Sequence, residues 1–291
     1  MDAFFTICAV VFGLIIGSFL NVVIYRLPRG EEMIWTRSRC PACGRMIAWY
    51  DNIPVVSFLF LLGRCRHCKS RISVRYPLVE ILTGCLFGLA ISHALAMPGV
   101  NGIAWHLVGF LLMAIFLAAL VAATFIDLDH RILPDEITKT GMWVTPVTSL
   151  LFPWIISPHF GLESLGITVS SPNAAGFIGS LAGLVVGAGM IWAVAILGKM
   201  VFRKDAMGFG DVKFMGMIGG FLGPLPVILV FFAGCLFGSV VGVTIYAITR
   251  NRYMAFGPYL ALGAAIMLFW TEEALWVVTE WWPRFLLNSL G

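Results

Sequence analysis

The sequence predicts an all-α polytopic membrane protein of about eight transmembrane helices, with a small zinc-binding domain between the first two. Three observations lead there. Hydrophobic residues make up 60% of the chain and charged residues only 12%, about half the charge of an ordinary soluble domain. Apolar runs of spanning length recur from end to end, and helices satisfy their own backbone hydrogen bonds in lipid. The one sizeable polar stretch carries two Cys-x-x-Cys pairs.

Eight spans are expected, over Phe4–Tyr25, Pro77–Met97, Ala104–Ile126, Gly141–Ser157, Ala175–Gly198, Val212–Leu222, Pro226–Ile248 and Gly257–Thr271. The first is read as a retained span, since no basic region precedes it and Arg26 and Arg29 follow it. Pro146 and Pro153 weaken the fourth. The sixth has eleven residues, about 16 Å at 1.5 Å per residue, so it must lean on neighbouring chain. Glu272 and Glu273 leave the end of the eighth open, and Trp276, Trp281 and Trp282 suggest an interfacial belt. The chain thus divides into a first span (1–25), a four-cysteine domain (26–75) and a transmembrane core (76–291).

Charge sets the orientation. With the N-terminus outside, every one of the nineteen Lys and Arg residues except Arg284 falls on a cytoplasmic segment, as the positive-inside rule favours. For most of these residues topology is explanation enough.

Cys40-Pro41-Ala42-Cys43 and Cys65-Arg66-His67-Cys68 are separated by 21 residues. Two such knuckles can place four thiolates in a tetrahedron, the arrangement a structural zinc needs. A reducing cytoplasmic side disfavours two disulfides, and a redox pair is the rival reading. So short a segment has little core of its own, and a metal would contribute folding energy. His67 is read as solvated or behind the ligands. Cys8, Cys85 and Cys235 lie in apolar spans as small hydrophobes; His93, His106 and His159 receive no role.

Acidic residues are rare in the apolar stretches and costly there. Asp127 closes the run 104–126, and Asp211 ends Gly208-Phe209-Gly210-Asp211 before another apolar run. Two carboxyls that meet share a proton, so that one acts as base on water and the other as acid toward a leaving amine. Gly208 and Gly210 would let an extended substrate near the backbone. At a helix start, the dipole would favour the ionised form of Asp211. Simpler readings stand beside this one. Asp211 could be only an N-cap and Asp127 only a span end. Asp129 and Asp135 compete with Asp127, and Asp135, after Pro134, reads as an N-cap. His130 reads as solvated. The run 208–213 lacks the ending of a phosphate loop.

Taken together, these motifs resemble the type 4 prepilin leader peptidase/N-methyltransferase family, membrane aspartic proteases of the GxGD kind. The resemblance rests on Gly17-Ser18-Phe19-Leu20-Asn21 with Arg26-Leu27-Pro28, the paired cysteine knuckles, and Asn52-Ile53-Pro54. It also rests on Tyr76-Pro77-Leu78-Val79-Glu80, Asp127 with Leu133-Pro134-Asp135, Gly208 to Lys213, and Phe256-Gly257-Pro258-Tyr259. It covers most of the chain, excepting 158–174 and the C-terminal tail. It implies a bacterial inner-membrane enzyme that cuts the short basic leader from prepilins or pseudopilins, precursors of type IV pili or of a type II secretion pseudopilus. The cut follows a Gly at the cytoplasmic face, and the new N-terminus, usually Phe, is methylated from S-adenosylmethionine. By this resemblance Asp127 and Asp211 form the catalytic pair, with Gly208 and Gly210 supporting its loop. Cys40, Cys43, Cys65 and Cys68 bind zinc, and Gly17, Asn21, Arg26 and Glu80 are candidates for methyl transfer. No dinucleotide-type glycine fingerprint locates the donor, and no nucleic-acid partner is expected.

Other classes share parts of this pattern. A transporter also uses intramembrane carboxylates and broken helices. However, these acids map to the boundary rather than mid-bilayer, and no internal repeat is evident. A non-catalytic scaffold would leave the GxGD run accidental. A peptidase for archaeal flagellin-like precursors would not explain the cysteine domain or the first-span motif.

Overall fold

Helices form nearly all the regular structure of the described residues, and each helix satisfies its own backbone hydrogen bonds in hydrocarbon. The computed structural model describes residues 2–33, 37–97, 102–153, 169, 171–203, 208–250, 254–282 and 284. The helices are α1 (Asp2–Arg26), the short α2 (Val56–Phe60), α3 (Arg75–Ala96), α4 (Ile103–His130), α5 (Asp135–Leu151), α6 (Pro172–Phe202), α7 (Phe209–Leu222), α8 (Pro224–Thr249) and α9 (Gly257–Trp276). Every expected span has its helix. Among the described residues, five helical segments are long and apolar enough to cross a membrane by length and composition: Asp2–Arg29, Arg75–Ala96, Ile103–His130, Pro172–Val201 and Pro224–Ile248. The chain divides into two compact units, Met1–His130 and Arg131–Gly291.

In the first unit α1 lies along α3, with α4 against both. The approach of α1 to α3 depends on missing side chains. A Cβ on Gly13 would stand 2.8 Å from Gly84 Cα, and one on Gly17 would stand 2.7 Å from Glu80 Cα. Small residues one turn apart let two membrane helices pack backbone to backbone. Phe87 and Phe110 meet edge to face at 5.9 Å between α3 and α4. His106 Nδ1 lies 2.7 Å from the Ala94 carbonyl, a local structural contact.

The second unit is built round α7. This helix has 14 residues, about 21 Å of rise, too short to cross alone. It is enclosed instead: all of Phe214–Leu222 is buried, with α5, α6, α8 and α9 against it. Gly183 of α6 and Gly219 of α7 pack so closely that a Cβ on either would strike the other's carbonyl oxygen. Ser180 Oγ donates to Gly220 O at 2.6 Å, and Gly141 of α5 makes room for Met217. Gly223, at φ +92°, then turns the chain directly into α8.

Several expected boundaries shift. The sixth span starts at Phe209 with Gly208 as N-cap, so Asp211 sits in the first turn rather than at the cap. Asp127 does not end its helix, since α4 continues to His130. Pro134, with extended backbone, is the N-cap of α5 and Asp135 is the first helical residue. Pro146 is accommodated inside α5, which ends at Leu151. Glu272 and Glu273 do not stop α9. It kinks at Trp270, runs to Trp276 and continues as a π turn over Val277–Trp281, with Trp276, Trp281 and Trp282 exposed. His159, Lys204, Arg252 and most of the 158–174 loop lie outside the described residues.

The glycine contact makes a paired prediction. Gly183→Ala must push α6 from α7 and should lower stability by about 1–3 kcal/mol, as overpacking does. Gly189 has nothing within 4 Å of its Cβ position, and Gly189→Ala should be neutral or stabilise by up to about 1 kcal/mol. Thermal melts of the two variants in detergent check the difference.

Candidate active site

The cysteine segment is two matching knuckles. Cys40 N donates to Arg45 O at 2.9 Å, and Gly44 N donates back to Cys40 O at 2.8 Å. Cys65 N to Ser70 O and Lys69 N to Cys65 O repeat the pattern at 2.9 and 3.0 Å. Gly44 and Lys69 hold the same left-handed turn, at φ +69° and +60°. Each knuckle is closed by one antiparallel bridge, Arg39 with Met46 and Arg64 with Arg71.

The four Sγ atoms converge within 4.8 Å of one another, and Cys40 and Cys68 stand 3.9 Å apart. None is in a disulfide. A zinc with Zn–S bonds of about 2.3 Å sets its sulfurs about 3.8 Å apart, so this cluster fits a closed four-thiolate site. Ser70 donates to Cys68, side chain and backbone, and holds that thiol down at about 6. Cys43 is pushed up to about 11: the Arg45 backbone favours its thiolate, but desolvation and the nearby Cys40 and Cys68 outweigh it. So crowded a set of sulfurs suits a cation at its centre. His67 lies off the cluster, its Nδ1 3.2 Å from Arg45 Nη1.

The segment is anchored to the helices beneath it. Glu80, buried on α3, accepts the Val55 N–H at 2.7 Å. Asn21 Nδ2 donates to Tyr76 O at 3.1 Å, across α1 and α3. Arg26 Nη1 donates to Glu32 O at 3.0 Å and Met33 O at 3.4 Å. Gly17, Asn21 and Glu80 thus share the α1–α3 contact, and Arg26 ties the chain that leaves α1.

The acidic residues separate by environment. Asp127 is buried, 6% exposed, one turn before the end of α4. Asp129 is half exposed and pairs with Arg75 of α3. The Arg75 guanidinium also donates to Phe125 O at 2.8 Å and lies 4.9 Å over the Phe125 ring. The helix end carrying Asp127 is therefore clamped on both sides of that residue.

Asp211 belongs to the second unit, partly buried in the first turn of α7. A Cβ on Gly208 would lie 3.5 Å from Asp211 Oδ2, and Gly208 itself is exposed. Gly210 differs from expectation: its open face is taken by Leu133, 3.2 Å from the Cβ position. Its missing side chain makes room for the Leu133 side chain of this same chain. Asp135 is drawn in beside that turn. Lys213 Nζ reaches Asp135 Oδ1 at 2.5 Å and stands 5.0 Å from the Phe209 ring centroid. Lys139 takes the other oxygen at 2.6 Å.

The ion pairs of Arg75 and Lys213 were not foreseen in the sequence, where Arg75 counted only toward topology and Lys213 counted besides only as the end of the motif 208–213. The usable signal was Lys213 two residues past Asp211, which puts its side chain on a different side of the helix from the carboxylate.

These features define a class: an all-α membrane protein with a four-cysteine cluster and a GxGD turn that opens an otherwise buried helix. Residues 11–94 match the bacterial peptidase A24 N-terminal domain, and residues 114–243 match the type IV leader peptidase family. Relatives named prepilin leader peptidase/N-methyltransferase align over nearly the whole chain. That of Aeromonas hydrophila is 36% identical, covering 96% of this chain and 93% of its own. That of Neisseria gonorrhoeae is 33% identical over 94% and 93%. A Myxococcus xanthus relative is 38% identical over 82% of this chain and 62% of its own length. No solved structure matches. The chain belongs to the type IV leader peptidase family and is an enzyme, which sets aside the transporter and scaffold readings.

The Asp135 pairs carry a pH prediction. Hydrogen bonds from Lys139 and then Lys213 hold the Asp135 carboxyl below its ordinary value. A lowered carboxylate stabilises the fold above its unfolded value of about 3.9 and loses that contribution as pH falls through the folded value. The Tm gap between wild type and Asp135→Asn should be present at pH 7 and close below about pH 3.9. A gap unchanged by acid would contradict the pairing.

Proposed function

We propose that this chain is a prepilin leader peptidase and N-methyltransferase of the bacterial inner membrane. The observation that carries the reading is the match of almost the full chain to relatives named for both activities. Buried Asp127 and first-turn Asp211 both lie within the matched peptidase region. The substrate is a prepilin or pseudopilin whose apolar helix lies in the bilayer and whose basic leader stays in the cytoplasm. Anchoring in the membrane raises its local concentration and holds the scissile bond at one depth. The catalytic groups face the cytoplasm, on the side where the Lys and Arg residues gather.

In this reading Asp127 and Asp211 work as one acid–base pair. The positive end of α7 favours negative charge at Asp211, so Asp211 takes a proton from water as its oxygen attacks the peptide carbonyl. Asp127 holds the proton that passes to the leaving amine, and the C–N bond breaks. Arg75 and the Asp135–Lys213 pair hold the two helix turns that carry these carboxylates. Gly208 leaves the Asp211 side open to an extended peptide, and Gly210 seats that turn on Leu133.

S-Adenosylmethionine supplies the methyl group. Gly17, Asn21, Arg26 and Glu80, at the junction of α1 and α3 with the cysteine segment, are the residues we assign to that half. Cys40, Cys43, Cys65 and Cys68 hold one structural zinc that sets the shape of the segment above the junction. The working division is a first span (1–25), a zinc segment (26–75) and a peptidase core (76–291).

Asp127→Asn and Asp211→Asn should each reduce leader cleavage about 10²–10⁴-fold, the usual size of a general acid–base contribution. Both should still methylate a substrate that has already lost its leader. Leader cleavage that survives either change would reject the pair. For the metal, purified protein should carry one zinc by elemental analysis, and Cys43→Ser should lose it together with protease resistance of residues 37–75. A metal-free wild type with the same resistance would refute the structural zinc.

A further inference from the structure

We propose that the stretch from Trp49 to Leu62 is a membrane-inserted hook, seated in the cytoplasmic leaflet of an anionic bilayer rather than in water. Its apolar side chains point outward. Trp49, Leu59, Phe60 and Leu62 are 81%, 65%, 85% and 85% exposed. In a water-facing domain of this size such a run would be an aggregation liability.

The hydrogen bond between Val55 N–H and Glu80 fixes its depth. Glu80 lies five residues beyond Arg75 in α3, about 7.5 Å along the axis. Arg75 and its partner Asp129 mark the polar level, where ions stay hydrated. One leaflet's polar zone is about 5–7 Å thick, so Val55 stands at the edge of the hydrocarbon. Segments that bind in the interface lie about 5–10 Å into that boundary.

Local backbone reinforces the placement. Val55 and Leu62 both have positive φ, at +59° and +50°. This costs a β-branched residue energy and bounds a single exposed helical turn. On α3, Leu78, Ile81 and Leu82, close in sequence to Glu80, are themselves exposed, so the spanning helix to which the hook is tied also presents apolar side chains near that level. Charge identifies the occupant. From residue 26 to 75 the acids are only Glu31, Glu32 and Asp51, against ten Lys and Arg, and Asp51 is spent on Arg66. Basic residues beside an aromatic, apolar face are the composition that binds an anionic leaflet. Trp49 and Tyr50 suit the headgroup level, and the Arg66 guanidinium lies 5.4 Å from the Tyr50 ring centroid.

The seven cysteines make thiol labelling ambiguous, so the test uses a photoreactive residue. Full-length Phe60→p-benzoylphenylalanine is placed in nanodiscs of phosphatidylethanolamine and phosphatidylglycerol and irradiated. Glu31→p-benzoylphenylalanine, at an exposed polar position, is the control. Mass spectrometry should find lipid adducts at position 60 at least tenfold above position 31. Adducts to a second copy of the chain or to an added pilin precursor in place of lipid would overturn the proposal. So would equal lipid yields at the two positions. Because the Phe60 side chain is exposed, its replacement leaves packing intact, and a thermal melt of the variant checks this.

Discussion

Enclosing a short helix is the constraint from which the second unit follows. A helix of 14 residues offers about 21 Å against about 30 Å of hydrocarbon, so it cannot face lipid as an ordinary span does. It survives because its neighbours close on it. The Gly183–Gly219 contact brings backbones to the limit of approach, Ser180 bonds to Gly220 O, and Gly141 receives Met217. The result is that the GxGD turn, at the open end of α7, is carried by the most enclosed element of its unit. Asp211 is thereby mounted on a rigid support, which is the condition the proposed acid–base role would need.

Ion pairs then sort the acids. Asp129 and Asp135 are occupied by Arg75, Lys139 and Lys213 at the helix ends. Asp127 is buried and Asp211 lies in a first turn next to a bare glycine. Sequence spacing left Asp127, Asp129 and Asp135 as competitors. In the structure Asp129 and Asp135 are held as partners of an arginine and of two lysines. Glu80 differs from both: it is buried, and its side chain accepts a backbone N–H that ties the cysteine segment to α3.

What the sequence made legible follows from periodicity and composition. The apolar runs gave every long helix, since hydrocarbon admits little else, and the paired knuckles foretold a cluster whose sulfurs do converge. Helix ends were less legible. Asp211 was read as the start of its helix, but Gly208 is the cap. The apolar run before Asp127 ends at Ile126, but the helix itself runs on to His130, since a charge near the interface need not stop a helix. Gly210 was assigned to substrate approach, yet Leu133 fills its open side. The work done by Arg75 and Lys213 depends on partners 54 and 78 residues away, a separation that no local pattern reveals.

The central claim is that one polytopic chain both removes a leader and modifies the amine it uncovers. The most direct measurement is the intact mass of a pilin precursor after incubation with purified protein, with and without S-adenosylmethionine. The account predicts a product shortened by the leader in both cases and heavier by one methyl group only when the donor is present. A precursor that keeps its leader in both incubations, with correctly folded protein, would contradict it.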